Sequence, residues 1–210
     1  MGEAAPSRDT RALPSAERLK AFTDAVVAIA MTLLILPLME SVSDAGSEHG
    51  SLAAWFVDEW PALLAFGLSF VLIANFWLVH HRLFAPVERV DGAVLWLTVL
   101  WMFTIVWMPV ATAITTAFAE GALQLVVYIG NLTTTSAVLG FTRLYLSRHP
   151  ELRRQPAVSM REELVDGWVV TALFVVALVV SIIVPAIGYG ALFLLVLGPL
   201  IGRVLRRRRA

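Results

Sequence analysis

The amino-acid sequence predicts an all-α, polytopic membrane protein with six transmembrane helices and both termini in the cytoplasm. Three observations carry this. Of the 210 residues, 59% are hydrophobic and only 15% are charged, too little polar material to cover a soluble domain of that size. The apolar residues gather into six runs, most of them near the ~20 residues a helix needs to cross a bilayer. The cations then sort by side. Every one of the 16 Lys and Arg residues lies in one of four places: the N-terminal region (Arg8, Arg11, Arg18, Lys20), the second connection (Arg82, Arg89), the fourth connection and its flanks (Arg143, Arg148, Arg153, Arg154, Arg161), or the C-terminal end (Arg203, Arg206 to Arg209). The first, third and fifth connections hold none. Cytoplasmic loops carry the excess of Lys and Arg, so both ends face the cytoplasm. One miscounted helix would scramble the partition.

Taken in order, residues 1–14 are polar and rich in Ala, Pro, Ser and Arg, and read as a disordered cytoplasmic tail. They lack the short apolar core and cleavage site of a signal peptide, so the first span is expected to be retained. A single six-helix domain covers 15–205, followed by a basic tail, 206–210. The first helix spans 18–38. Residues 40–59 form a polar, acidic connection. The second helix runs over about 60–80, with Pro61 just inside its start, where a missing N–H costs nothing. A short charged loop, 82–91, leads to the third helix, about 92–115, which Pro109 is expected to bend. Glu120 and Gly121 mark a tight turn. The fourth helix, about 122–146, carries Thr133, Thr134, Thr135 and Ser136, hydroxyls able to bond back to their own helix. Residues 147–164 are polar. The fifth helix, about 165–187, is broken by Pro185, Gly188 and Gly190. The sixth, about 191–205, is short and holds Gly198 and Gly202, a spacing that permits close helix contact.

The first helix is the stretch around which the rest is organised. Plotted at 100° per residue, Phe22, Ala25, Ile29, Leu33 and Leu36 fall in one stripe, with Thr32 at its edge. Arg18 and Glu40 lie at its two ends. Packing surface is the ordinary reading of such a stripe. Asp24 points away from it. A carboxylate inside a span is costly and needs a partner or a wet cavity. The second helix runs the opposite way, so Trp77, His80 and His81 reach the same depth as Asp24. A polar network of Arg18, Thr23, Asp24, Trp77 and one histidine is therefore expected. It would act as a gating hinge or as a folding staple.

Arg18, Phe22, Thr23 and Asp24 spell R-x-x-x-F-[S/T]-D, and Phe76-Trp77 with His80 spell F-W-x-x-H. Both resemble signatures of the TMEM175 family of potassium-permeable channels, the first opening helix 1 and the second closing helix 2. Asp91 and Leu95-Trp96-Leu97 are also similar to the family, with Thr98 where asparagine is the expectation. The resemblance implies a passive, potassium-permeable homotetramer in a prokaryotic inner membrane. Each chain supplies one six-helix repeat, and the first helix lines the pore. On that footing Ile29, Leu33 and Leu36 form stacked apolar rings that gate by expelling water. Thr32 offers hydroxyl oxygens to a cation, and Glu40 sits at the outer mouth, either as a carboxylate ring that gathers cations or as a solvated helix end.

Other chemistries find less support. The chain has no cysteine, which excludes disulfides and thiolate metal sites. His80 and His81 point about 100° apart on a helix and do not readily share an ion, so no metal and no cofactor is expected beyond permeant K+. Val126-Val127-Tyr128-Ile129-Gly130 has the look of the T-V-G-Y-G filter of ordinary potassium channels but lacks its first glycine and lies inside an apolar helix. The expectation is a cation channel without that filter. The arginine run at 206–209 suits anionic lipid beside a helix end better than nucleic acid. No nucleophile–base–acid set suggests an enzyme. The alternative function is a proton channel or proton-coupled transporter using Asp24 and the helix-2 histidines.

Overall fold

A computed structural model describes residues 15–47, 51–118, 121–154, 160–184 and 187–197. The tails at 1–14 and 206–210, Gly198, Gly202 and the terminal arginines lie outside the described residues. Those described are helical throughout, apart from turns and two isolated β-bridges. Among the described residues, five helical stretches are long and apolar enough to cross a membrane.

Helix α1 (Ala16–Leu33) and α2 (Leu36–Ser47) form one apolar rod, interrupted at Leu34 and Ile35. Pro37 explains the interruption. Its ring clashes with the carbonyl four residues back, that of Leu33, and it offers no N–H to that carbonyl. The rod then continues into what the sequence predicts as an acidic connection. That expectation needs correction: α2 runs to Ser47, and a further helix, α3 (Leu52–Asp58), follows. Ser51 caps α3 by accepting a hydrogen bond from Ala54 N at 3.1 Å. The indole N–H of Trp55 donates to Ser41 Oγ at 2.9 Å and ties α3 to α2. Polarity there reflects solvent exposure, not loop structure.

Helix α4 (Trp60–Phe84) starts with Pro61 in its first turn and carries His81 and Arg82 in its last. Helix α5 (Gly92–Ala117) contains Pro109 and is capped by Asp91, whose Oδ1 accepts from Val94 N at 2.8 Å. Helix α6 (Ala122–Arg148) is followed by a 3-10 turn, Pro150–Leu152. Helix α7 (Met160–Ile183) ends before Gly188, whose φ of +48° lies in the left-handed region that favours glycine. The predicted sixth α-helix differs from what forms. Gly188–Leu197 is a 3-10 segment. It folds back on α7, where Ser181 Oγ donates to the Gly188 carbonyl at 2.8 Å. The predicted remainder, 198–205, lies outside the described residues.

Helix α6 is the centre of the bundle, packed between α5 and α7, and α1 rests on α5 and α4. Trp101, Ile105 and Met108 of α5 meet Ile129, Leu132 and Leu139 of α6 in the core. Lipid offers little hydrophobic drive between helices, so packing and interhelical hydrogen bonds hold them together. Tyr128 and Ser69 share a 2.8 Å hydrogen bond, and Thr112 Oγ1 donates to Ser69 Oγ at 2.8 Å. Ser136 pairs with Thr171 at 2.8 Å, and Asn131 donates to the Thr104 carbonyl at 2.9 Å. Thr133, Thr134 and Thr135 bond back to carbonyls of α6 itself. Tyr128 thus stands in an unbroken helix.

The Arg-bearing connections meet at one end. Ala16 N donates to the Glu88 carbonyl at 2.9 Å, Glu88 N to the Leu152 carbonyl at 3.0 Å, and Arg154 N to the Pro86 carbonyl at 2.9 Å. The start of α1, the α4–α5 connection and the α6–α7 connection therefore share a side, as the distribution of Lys and Arg requires.

Candidate functional site

Two faces of α1 divide the work. Thr23, Val27, Ala30 and Leu34 are buried, and all fall on the side that meets α5 and α4. Small and β-branched side chains let the helix approach closely. The opposite stripe is left uncovered by the protomer: Phe22 is 59% exposed, Ile29 59%, Leu33 38% and Leu36 50%. Ala25 and Thr32 are exposed beside them. The Thr32 hydroxyl donates to the Ile29 carbonyl at 2.8 Å, and its oxygen keeps the capacity to accept. Glu40 is exposed on α2.

Around Asp24 the structure joins some of the predicted partners and separates others. The indole N–H of Trp77 donates to Asp24 Oδ1 at 2.8 Å, linking α1 to α4. His81 lies against the Trp77 ring, centroids 5.5 Å apart. His80 turns into the protein. It is buried and stacked between Phe84 and Trp101, each 4.3 Å away, and its Nε2 has no hydrogen-bond partner among the described residues. Adjacency on the helix splits the two rings between different environments.

Thr23 does not join this network. It is buried, and its hydroxyl donates to the Leu19 carbonyl at 2.8 Å, the ordinary outlet for a threonine inside a helix. Arg18 is exposed and forms no ion pair among the described residues. The expected network is therefore narrower than predicted: one hydrogen bond, Asp24 to Trp77, with the His81 ring beside the indole at a 40° tilt. A second carboxylate, Asp166, falls within the apolar part of α7, Leu164–Ile183. Among the described residues, no three His, Asp or Glu side chains converge as a metal site would need.

Sequence reasoning missed a second polar tie at the Arg-bearing end. The Tyr145 hydroxyl donates to Asp91 Oδ2 at 2.6 Å, while Asp91 Oδ1 caps α5. Burial pushes the Asp91 carboxyl up. The hydrogen bonds from Tyr145 and Val94 and the neighbouring His149 outweigh it, and the group rests below its ordinary value. An Asp directly before an apolar helix is a capping signal. Nothing in the sequence pairs it with a tyrosine 54 residues on.

Comparison with known proteins adds to this geometry. Residues 18–109 match the sequence model of a family described as the endosomal/lysosomal potassium channel TMEM175. A potassium channel of Streptomyces collinus is 32% identical over 131 residues, which cover 61% of this chain and 62% of that one. The endosomal/lysosomal proton channel TMEM175 of Gallus gallus is 40% identical over 111 residues, covering 50% of this chain and 22% of the relative. The matches thus span less than two thirds of these relatives' own length. A crystal structure of a lysosomal potassium-selective channel TMEM175 homolog from Chamaesiphon minutus superposes with a TM-score of 0.70 at 25% identity, covering 89% of this chain and 97% of that one.

Proposed function

This chain belongs to the TMEM175 family, and on that premise we propose that it is a passive, potassium-permeable cation channel assembled as a homotetramer. The single observation that carries this reading is the apolar stripe of α1 that the protomer leaves uncovered. Around a four-fold axis Ile29, Leu33 and Leu36 become stacked apolar rings. A narrow ring of this kind expels water, and an ion cannot shed its hydration there cheaply. Thr32 supplies oxygen acceptors at the same depth. The Asp24–Trp77 hydrogen bond fixes the rotation of α1 and so decides which side chains face the axis. Glu40 stands at the outer mouth. The Arg-bearing end faces the cytoplasm, the chain sits in a prokaryotic inner membrane, and its basic C-terminus meets anionic lipid.

Reconstitution in liposomes tests the reading, with K+, Na+ and H+ gradients imposed separately. The expected result is K+ flux without an energy source, increased by Ile29→Asn. A chain that carries no K+ in either form contradicts it. A second reading, proton conduction, is favoured by the run Asp24–Trp77–His81 and by the vertebrate relatives, which are named proton channels. A flux confined to the H+ gradient selects it.

A further inference from the structure

Three segments far apart in sequence close over the Arg-bearing end. The first amide of α1, on Ala16, is held by the Glu88 carbonyl, and Ser15 pairs with Arg89 as an antiparallel bridge. On its other edge the same α4–α5 connection pairs Val87 with Arg153. The seat of α1 therefore depends on where the α6–α7 connection lies. Tyr145 fixes that position through its 2.6 Å hydrogen bond to Asp91. His149 lies flat on the Tyr145 ring, centroids 4.0 Å apart and planes 19° apart, with Nδ1 3.0 Å from the Tyr145 carbonyl oxygen.

We propose that His149, Tyr145 and Asp91 form a proton-operated clasp, which seats the first turn of α1 more firmly when the Arg-bearing side acidifies. Imidazole is the side chain whose charge changes between pH 5 and 8. Neutral, His149 is a ring stacked on a ring. Protonated, it is a cation over an aromatic face and is drawn toward the Asp91 carboxylate. Nδ1 donates to the Tyr145 carbonyl in both forms, so a proton arriving at Nε2 breaks nothing. Asp91, held below its ordinary value, stays charged throughout that range.

The nearest carboxylates favour the same direction, and Arg153, half-buried at the end of the same 3-10 turn, is the cation set against them. Asp91 from the α4–α5 connection and Glu151 from the 3-10 turn are negative. Arg154 is paired with Glu88 at 2.8 Å. Arg89 and Arg148 are exposed and screened by water. The clasp acts on the helix that bears the outward stripe, so its effect on flux rests on the channel reading; its closure does not.

The chain has no cysteine, so the pair Ser15→Cys with Arg89→Cys reports closure as a disulfide in the full chain reconstituted in liposomes. Antiparallel bridge partners lie within reach of that bond. Thiol oxidation has its own pH dependence, so closure is compared at each pH with the same pair in a His149→Gln background, which keeps a donor but cannot titrate. The ratio of closure between the two backgrounds is expected to rise about two- to fivefold as pH falls from about 8 to about 5.5. Tyr145→Phe keeps the ring, removes the link to Asp91, and should lower closure at every pH. A ratio that stays constant overturns the clasp, as does the absence of any disulfide. A rising ratio without K+ flux upholds the clasp and removes the channel reading. K+ flux with a constant ratio does the reverse.

Discussion

Asp24 and Trp77 tie α1 to α4 through one hydrogen bond. The Trp77 indole is the donor and the Asp24 carboxylate the acceptor, at 2.8 Å, a charge-assisted pair stronger than a neutral one. Trp77→Phe removes the donor from an exposed hydrogen bond, at a cost of about 0.5–1.5 kcal/mol; a fall in thermal midpoint measures it. Asp24→Asn keeps an acceptor but loses the charge. A tetramer that forms and gates abnormally marks the pair as a hinge, and failure to assemble marks it as a staple. Asp91 carries a pH dependence whose sign follows from its lowered carboxyl. The unfolded chain binds the proton more tightly than the folded one, so stability rises with pH through this window. Its contribution is complete above the ordinary value of 3.8 and disappears as pH falls through the lower folded value. Thermal midpoints measured from pH 6 downward should drop below about pH 4, and Asp91→Ala should remove that share of the drop while costing about 1 kcal/mol as a lost cap. The Asp24–Trp77 contact was legible in the sequence, because two antiparallel helices of known rise bring those residues to one depth. The withdrawal of Thr23 and Arg18 was not, because a hydroxyl always has its own helix carbonyl as a competing partner.

The stripe on α1 was readable as a helical period. Which neighbour each face meets was not, since an apolar face looks the same toward protein, lipid or a pore. The helical nature of α2 and α3 escaped for a different reason: polar composition signals exposure, and exposed helices tolerate it. The end of α6 was misjudged by only two residues, Ser147 and Arg148. Between α6 and α7, Arg143 is buried and its guanidinium reaches beneath Gly167, so close that a Cβ there would collide with Nη1. Arg143 takes part in an interaction within the protein, so moving the end of its side chain has a cost. Gly167→Ala should destabilise by about 1–3 kcal/mol. Gly46→Ala, where a Cβ meets nothing within 4 Å, should instead stabilise by up to about 1 kcal/mol. Paired melting curves decide this; equal effects of the two substitutions would contradict the close approach.

For the whole molecule, the gathering of the Arg-bearing segments was the most legible property. Lys and Arg fall only in alternate connections, and three of their four segments meet at one end of the bundle. Assembly was the least legible, because the surface that would form it is apolar and exposed in a protein whose lipid-facing surface is apolar as well. Ile29→Asn bears on this. In a closed apolar ring it should raise leak roughly tenfold, equivalent to about 1.4 kcal/mol of barrier; on a lipid-facing surface it should leave flux unchanged and only reduce stability. A cleaner measurement places the first cysteine in the chain, as Ile29→Cys, and oxidises the protein in liposomes. Copies linked in pairs through Ile29→Cys, with K+ flux blocked by a water-soluble thiol reagent, are the expected result. A thiol that links no copies and reacts only with reagents dissolved in the lipid would contradict a shared pore.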